Sequence, residues 1–438
     1  MTTPEPLLLK LRFLGEPMAT LAYRADLPAY AFEFDRSFVA QGHDLSPLHL
    51  PLARYGNGLH LFRPGESPFA GGLPGLIADS LPDAWGERML RQELPGIQTV
   101  MGKLAAIGLR TPGAITYEPV LGSGADLIST TEDLALLAQE AETLRQAPVP
   151  LASSLINAAL AKGGSSLGGA FPKIAAHLPV GQELIERREI LVGGQSPEGH
   201  APCILKFTRS DDEDEGAVEF AFWLMAREAG IRVPPACLVN DGRKRHFACV
   251  RFDRLRLATG NWGRRHVHTL SGMLHKRAAD GAIDYEEFMR LTRRLCGAQE
   301  AQECFRRAVF NLLATNRDDH GRNHAFLYNE TTRLWTLSPV YDLNPNVANV
   351  LIGLSWLGST QIPTTFAAVL KIAEIGGIDS RRAREIYEQV EAATLGGWAK
   401  AAERAGVSPT MMAIWKQGMD SQTAALRADA KRLSIRAI

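Results

Sequence analysis

The sequence predicts an α+β fold, β-rich at its start and mostly α-helical in its C-terminal part. Three observations carry that prediction. Short strand-like runs at residues 7–14, 18–23 and 30–34 are separated by turn residues. Between about 163 and 255, strand-like runs surround a single helical pattern. From about 268 onward, apolar residues recur at helical spacing over 286–296, 300–315, 381–393 and 410–430. With 438 residues, 45% of them hydrophobic, the chain is long enough for two domains, or one with a large appendage, around a packed core.

Taken in order, the first strands lead to the turn Gly71-Gly72-Leu73-Pro74-Gly75. Residues 76–94 then carry helical spacing, broken by Asp79-Ser80-Leu81-Pro82-Asp83. Residues 120–130 read as a connection, followed by helices at 132–145 and 151–161. A Gly/Ser loop at 163–169 precedes strand candidates at 173–178, 203–207 and 247–252. The helix among them, 216–229, is stopped by Gly230. Further strand candidates fall at 325–328 and 334–337, and no internal repeat or low-complexity tract is present. The expected division is 1–120, 121–255 and 256–438.

Lys+Arg and Asp+Glu both number 48, a balance that argues against a general nucleic-acid coat or a membrane-surface protein. Cys203, Cys237, Cys249, Cys296 and Cys304 are widely spaced with no Cys-x-x-Cys pair, which fits reduced thiols better than disulfides or zinc. The start lacks a basic segment followed by an apolar one, and no run of about 18 apolar residues is present, so the expectation is a cytoplasmic protein without a membrane partner.

The residues that carry chemistry suit phosphoryl transfer. That reaction needs a loop over the phosphates, a lysine to neutralise them, a carboxylate to orient the attacking hydroxyl, and oxygen ligands for magnesium. The loop candidate is Gly163-Gly164-Ser165-Ser166-Leu167-Gly168-Gly169-Ala170, whose glycines allow backbone N–H groups close to phosphate oxygens. Its spacing matches neither Gly-x-Gly-x-x-Gly nor a Walker loop, so alone it reads equally as a turn. Lys206 lies in the apolar run Ile204-Leu205-Lys206-Phe207 and needs a partner, because an unpaired buried ammonium is costly. Glu219, embedded among apolar neighbours on the next helix, is the expected structural ion-pair partner. The acidic run 211–215 reads as a solvated helix start. Asp318 is followed five positions later by Asn323, the spacing of a kinase catalytic loop, which selects Asp318 over Asp319 as base. Asp342, after a short strand candidate, is placed as a second metal carboxylate. His320 and His324 would suit zinc only on a helix, and Gly321 and Asn323 indicate a loop. A serine hydrolase lacks its Gly-x-Ser-x-Gly elbow here.

These residues, with Gly72-Leu73-Pro74-Gly75-Leu76-Ile77-Ala78-Asp79-Ser80-Leu81-Pro82-Asp83-Ala84-Trp85-Gly86, Pro172-Lys173, Val250-Arg251-Phe252-Asp253-Arg254 and Pro339-Val340-Tyr341-Asp342, run in an order that resembles the HipA family, the kinase toxins of bacterial HipBA toxin–antitoxin modules. The likeness covers about residues 8–350. It implies a bilobal, protein-kinase-like fold with an N-terminal subdomain and a helical C-lobe, using ATP and Mg²⁺ to phosphorylate Ser or Thr. By motif position, Asp318 would be the catalytic base and Asn323 and Asp342 the metal ligands. Gly168, Gly169, Ala170, Phe171, Pro172, Lys173 and Lys206 would line the nucleotide, with Val250, Arg251 and Phe252 at the adenine hinge, Val250 and Phe252 mainly through backbone. His320, Gly321, Arg322, Asn323, Tyr341 and Asp342 would complete the pocket.

Ser166 matches the family's autophosphorylated serine, with Ser165 adjacent, and a phosphate there would repel ATP and favour an ejected loop. Phe171 stands where some relatives carry a polar residue. The resemblance also implies a HipB-like DNA-binding antitoxin as partner, DNA contact mainly through that antitoxin, and a protein substrate of the translation apparatus such as an aminoacyl-tRNA synthetase. A small-molecule kinase and a pseudokinase corepressor are the alternative readings of the same residues.

Overall fold

A computed structural model describes residues 5–64, 69–121, 129–147, 171–179, 181–209, 214–278, 281–343 and 351–435. The Gly/Ser loop and the helix expected at 151–161 lie outside these residues.

The first sheet has five antiparallel strands, β1 Leu8–Phe13, β2 Glu16–Arg24, β3 Ala29–Phe34, β4 His60–Phe62 and β5 Ile115–Glu118, in the order β4-β3-β2-β1-β5. In β1 the buried Leu9, Leu11 and Phe13 alternate with Leu8 and Lys10, the period-two pattern of a sheet wet on one face. The helical spacing at 76–94 resolves into two helices, Gly75–Ala78 and Ala84–Glu93. The break is chemical: Asp83 caps the second helix, its carboxylate accepting from Gly86 N–H at 3.1 Å. A further helix, Val100–Ile107, started by Thr99, falls where the sequence suggested nothing.

The second sheet has seven strands: β6 Thr130–Asp133, β7 Lys173–Pro179, β8 Leu184–Glu186, β9 Glu189–Val192, β10 His200–Lys206, β11 Ala236–Asn240 and β12 Arg245–Val250. Their order is β6-β9-β7-β10-β12-β11-β8. β6 takes the start of the helix expected at 132–145, which begins at Leu134 because Asp133 caps it. β12 stops at Val250 rather than 252, since Arg251 N–H turns to the Pro202 carbonyl. The Glu215–Glu228 helix, buried from Gly216 to Ala226, packs against β11 and β12. Burial on all sides explains its lack of an amphipathic stripe.

The C-terminal part is mostly helical, built on Tyr285–Cys296, Ala298–Leu313, Phe366–Ile375, Ser380–Glu391, Trp398–Ala405 and Pro409–Ile435. It also holds two ribbons and a small sheet, more strand than its pattern suggested. β13 Arg254–Arg256 pairs with β14 Trp262–Arg264. β15 His266–Thr269, β16 Ala325–Tyr328 and β17 Trp335–Leu337 form the sheet. β18 Leu351–Trp356 pairs with β19 Ser359–Gln361.

Apolar burial divides into two main cores. One runs without interruption from the first sheet, through the Glu215–Glu228 helix, into the C-terminal helices. The other lies under the second sheet and includes Trp85 and Met89 from the N-terminal segment. Among the described residues no helix is long and apolar enough to cross a membrane.

Candidate active site

A cleft of about 430 Å³ opens where the second sheet meets the C-terminal part, with Asp79, Leu81, Asp83 and Ala84 of the N-terminal segment forming a third wall. Lys206, the last residue of β10, points its ammonium between two carboxylates. It contacts Glu219 on the Glu215–Glu228 helix, and Asp342 Oδ1 at 2.5 Å. The charges do not balance, and burial decides how they settle. Burial alone would lower the Lys206 pKa, but Asp342 and Glu219 hold it well above the usual lysine range. Burial would likewise raise Asp342, but Lys206 and Lys173 bring it down to about 2. Glu219 is raised to about 7 by burial, with the shared Lys206 ammonium opposing and Asp342 adding to the rise. Lys173, opposite Lys206 in the β7–β10 register, is pushed down by burial, with Asp342 opposing. Asp342 sits at φ 52°, a left-handed conformation that aspartate tolerates better than most residues.

The loop after the Ala298–Leu313 helix places two adjacent carboxylates in opposite surroundings. Asp318 is half-exposed, its Oδ1 3.6 Å from His320 Nε2. Its pKa is raised by burial, with Asp342 and Asp319 adding to the rise and His320 opposing it. Asp319 is 2% exposed and accepts from the Tyr285 hydroxyl at 2.5 Å and the Gly353 amide at 2.9 Å. Asn323 Nδ2 donates to the Asp318 carbonyl at 2.6 Å, leaving its Oδ1 as an available acceptor. Leu270 and Ser271 amides donate to the His324 and Gly321 carbonyls, pinning the far side. A Cβ at Gly321 would stand 2.4 Å from Ile283 Cδ1, so nothing larger than glycine fits without a shift. His324 is buried against Phe288, its Nε2 3.2 Å from the Asp319 carbonyl, and so does not join His320 as a zinc pair.

Of the residues singled out by sequence, Lys173, Lys206, Glu219, Val250, Arg251, Phe252, His320, Arg322, Asn323, Tyr341 and Asp342 line the cleft. Asp318, Phe171, Pro172 and Gly321 are not in its lining. Phe171 lies under the Arg209 guanidinium, 4.9 Å from its ring centre. Ser165, Ser166, Gly168, Gly169 and Ala170 lie outside the described residues. Val250 N–H donates to Pro235 and Arg251 N–H to Pro202, so neither amide is available to a base. The Arg251 guanidinium is turned to Asp253, at 2.8 Å. Asp79 and Asp83, which the sequence pattern marks only as the ends of a helix break, also line the cleft. Asp79 accepts from His268 and Thr269; Asp83 has one carboxylate oxygen buried without a hydrogen-bond partner among the described residues, and a pKa raised by burial to about 6. The two acids framing a helix break were the signal for this third wall.

Two family models match the chain. The HipA N-terminal domain covers residues 9–118, and the HipA-like C-terminal domain covers 165–398, more than half of the chain. The chain belongs to the HipA family of serine/threonine kinases. Among solved structures, HipA of Shewanella oneidensis MR-1, in a complex with HipB and its operator DNA, is 17% identical. That match covers 97% of this chain and 98% of that one at a TM-score of 0.70, which shows the shared fold. The Helicobacter pylori proinflammatory kinase CtkA matches 59% of this chain and 94% of its own, at 11% identity and a TM-score of 0.41. No curated protein matches.

Family membership implies ATP as phosphate donor. The oxygen donors of this HipA-family chain also fit a hard divalent ion. Asp342 is held ionised, and Asn323 presents a carbonyl oxygen. Among the described residues no three His, Cys, Asp or Glu side chains converge as a metal site. Two protein oxygens completed by phosphates and water is the usual arrangement for Mg²⁺.

Proposed function

We propose that this chain transfers the γ-phosphoryl group of ATP to a serine or threonine of a protein, as the toxin of a HipBA-type module. The observation that carries this reading is the Lys206 ammonium held between Glu219 and Asp342, with the Asp318–Asn323 loop beside it. On this reading Lys206 and Lys173 face the phosphates. Asn323 and Asp342 would hold Mg²⁺, which would neutralise phosphate charge. Asp318, exposed and close to His320, accepts the hydroxyl proton as the substrate oxygen attacks phosphorus. The base would rest against the Phe252 and Tyr341 rings, which touch each other at 5.2 Å between centres, and would meet hinge carbonyls and the Phe252 amide rather than that of Val250. The segments 1–120, 121–255 and 256–438 are the proposed units.

Regulation follows the family: phosphorylation of Ser166 or Ser165 would place negative charge where ATP phosphates belong. A HipB-like antitoxin would bind the chain and supply the DNA contact; HipA of Shewanella oneidensis forms a complex with HipB and its operator DNA. The substrate would be a translation protein such as an aminoacyl-tRNA synthetase. Purified protein with labelled ATP and a cell lysate tests the core of this reading. A labelled protein band that is lost in Asp318→Ala supports it. Consumption of ATP with label only in small molecules overturns it.

A further inference from the structure

The kinase reading leaves Asp319 without a task, although it is the more deeply buried of the two loop carboxylates. Its bonds all point away from the cleft. Oδ2 accepts from Tyr285 at the start of the Tyr285–Cys296 helix. Oδ1 accepts from the backbone of β18, at 2.9 Å from Gly353 N and 3.4 Å from Leu354 N. Tyr285 in turn accepts from Asn311 Nδ2 at 3.0 Å, and Asn311 Oδ1 accepts from Asn316 Nδ2 at 3.1 Å, so the chain of bonds returns to the base of the same loop.

Gly353 makes the approach possible. A Cβ there would lie 2.7 Å from Asp319 Oδ1 and 2.7 Å from His320 N. The strand therefore abuts the loop backbone at the residue beside Asp318. In sequence, β18 begins nine residues after Asp342. Asp319 thus joins the loop carrying Asp318 and Asn323 to the strand that follows Asp342 in sequence.

We propose that Asp319 is a positioning residue, a latch between the catalytic loop and β18 that sets where Asp318 and Asn323 stand relative to Asp342. The proposal rests on the kinase reading for its catalytic consequence, but not for its structural one. The latch needs acceptors on both sides. An amide in place of the carboxylate keeps the shape but has one acceptor oxygen, so either Tyr285 O–H or the β18 amides lose their partner.

The test compares wild type, Asp319→Asn and the milder Tyr285→Phe. At saturating ATP, Asp319→Asn lowers kcat by about 30-fold and Tyr285→Phe by about fivefold, while ATP affinity measured by equilibrium binding changes by less than about threefold in either. In the same proteins, hydrogen exchange at the Gly353, Leu354 and Asn323 amides speeds by about tenfold or more in Asp319→Asn. A kcat that does not change below the melting temperature overturns the latch, as does a loss of ATP affinity in proportion to kcat. Unchanged exchange at those three amides also overturns it. If the wild type transfers no phosphate, the kinase reading fails and the exchange comparison alone decides whether the latch exists.

Discussion

The two sides of the cleft are built differently. The catalytic loop stands on the long core that joins the first sheet to the C-terminal helices, and is tied on one side by Asp319 and on the other by Leu270 and Ser271. The second sheet, which supplies Lys173 and Lys206, has an apolar core of its own. It meets the rest of the site through packing, with Trp85 and Met89 in its core and Leu238 and Phe247 in the long one, and through polar contacts: the Lys206 bridges, and the bond from Trp85 Nε1 to the Lys173 carbonyl at 3.0 Å. Both sides are packed, but only the second-sheet side adds buried charge pairs that reach into the cleft. Interdigitated cores resist displacement, whereas polar links can be exchanged for bonds to a ligand. The difference puts the links that phosphate groups could replace on the second-sheet side of the cleft.

Asp318→Ala gives the largest expected effect. Transfer falls by about 10³-fold or more, with little change in melting temperature, because the lost side chain is half-exposed. Single-turnover assay beside calorimetry reads both. On the second-sheet side, Lys206→Met lowers kcat/KM for ATP by about 10²-fold. It also destabilises the protein, because Asp342 and Glu219 are left without their shared cation. Glu219→Gln is milder, about tenfold in KM. A Lys206→Met variant with wild-type stability would break the claim that the buried charge pairs contribute to holding the cleft.

Acid probes the catalytic-loop side. Burial holds the pKa of His266 and His324 near about 3. The unfolded chain titrates them near about 6.5. Below that pH the unfolded state binds more protons, so stability falls as pH drops, by on the order of 2 kcal/mol per histidine at pH 5. Chemical denaturation at pH 7 and pH 5 measures it. Phenylalanine at both positions should flatten the slope. The smallest effect is Trp85→Phe, which removes one indole bond worth about 1 kcal/mol and should raise the KM for ATP a few-fold without touching kcat.

How much of this was legible depended on how local the signal was. The Asp318-to-Asn323 spacing lies within one loop and needs no tertiary knowledge. The Lys206–Glu219 pair was readable because two charges in apolar runs require partners. The third wall was not, since Asp79 and Asp83 reach the cleft only after the first sheet packs on the C-terminal part. The role of Asp319 was equally hidden, because its partners Tyr285 and Gly353 lie on separate elements. Strands β15 and β18 were missed because runs of four to six residues inside a helical region show too little alternation.

The third wall also has a pharmacological consequence. A two-walled nucleotide cleft offers an inhibitor a hinge and a phosphate end; this one adds a flank from the N-terminal segment, with one Asp83 carboxyl oxygen buried and without a hydrogen-bond partner among the described residues. A small molecule that fills the base pocket and extends an amidine or amino group toward Asp83 would draw affinity from a feature the hinge and phosphate end do not supply. Its selectivity would come from the appended segment and not from the chemistry of phosphate transfer.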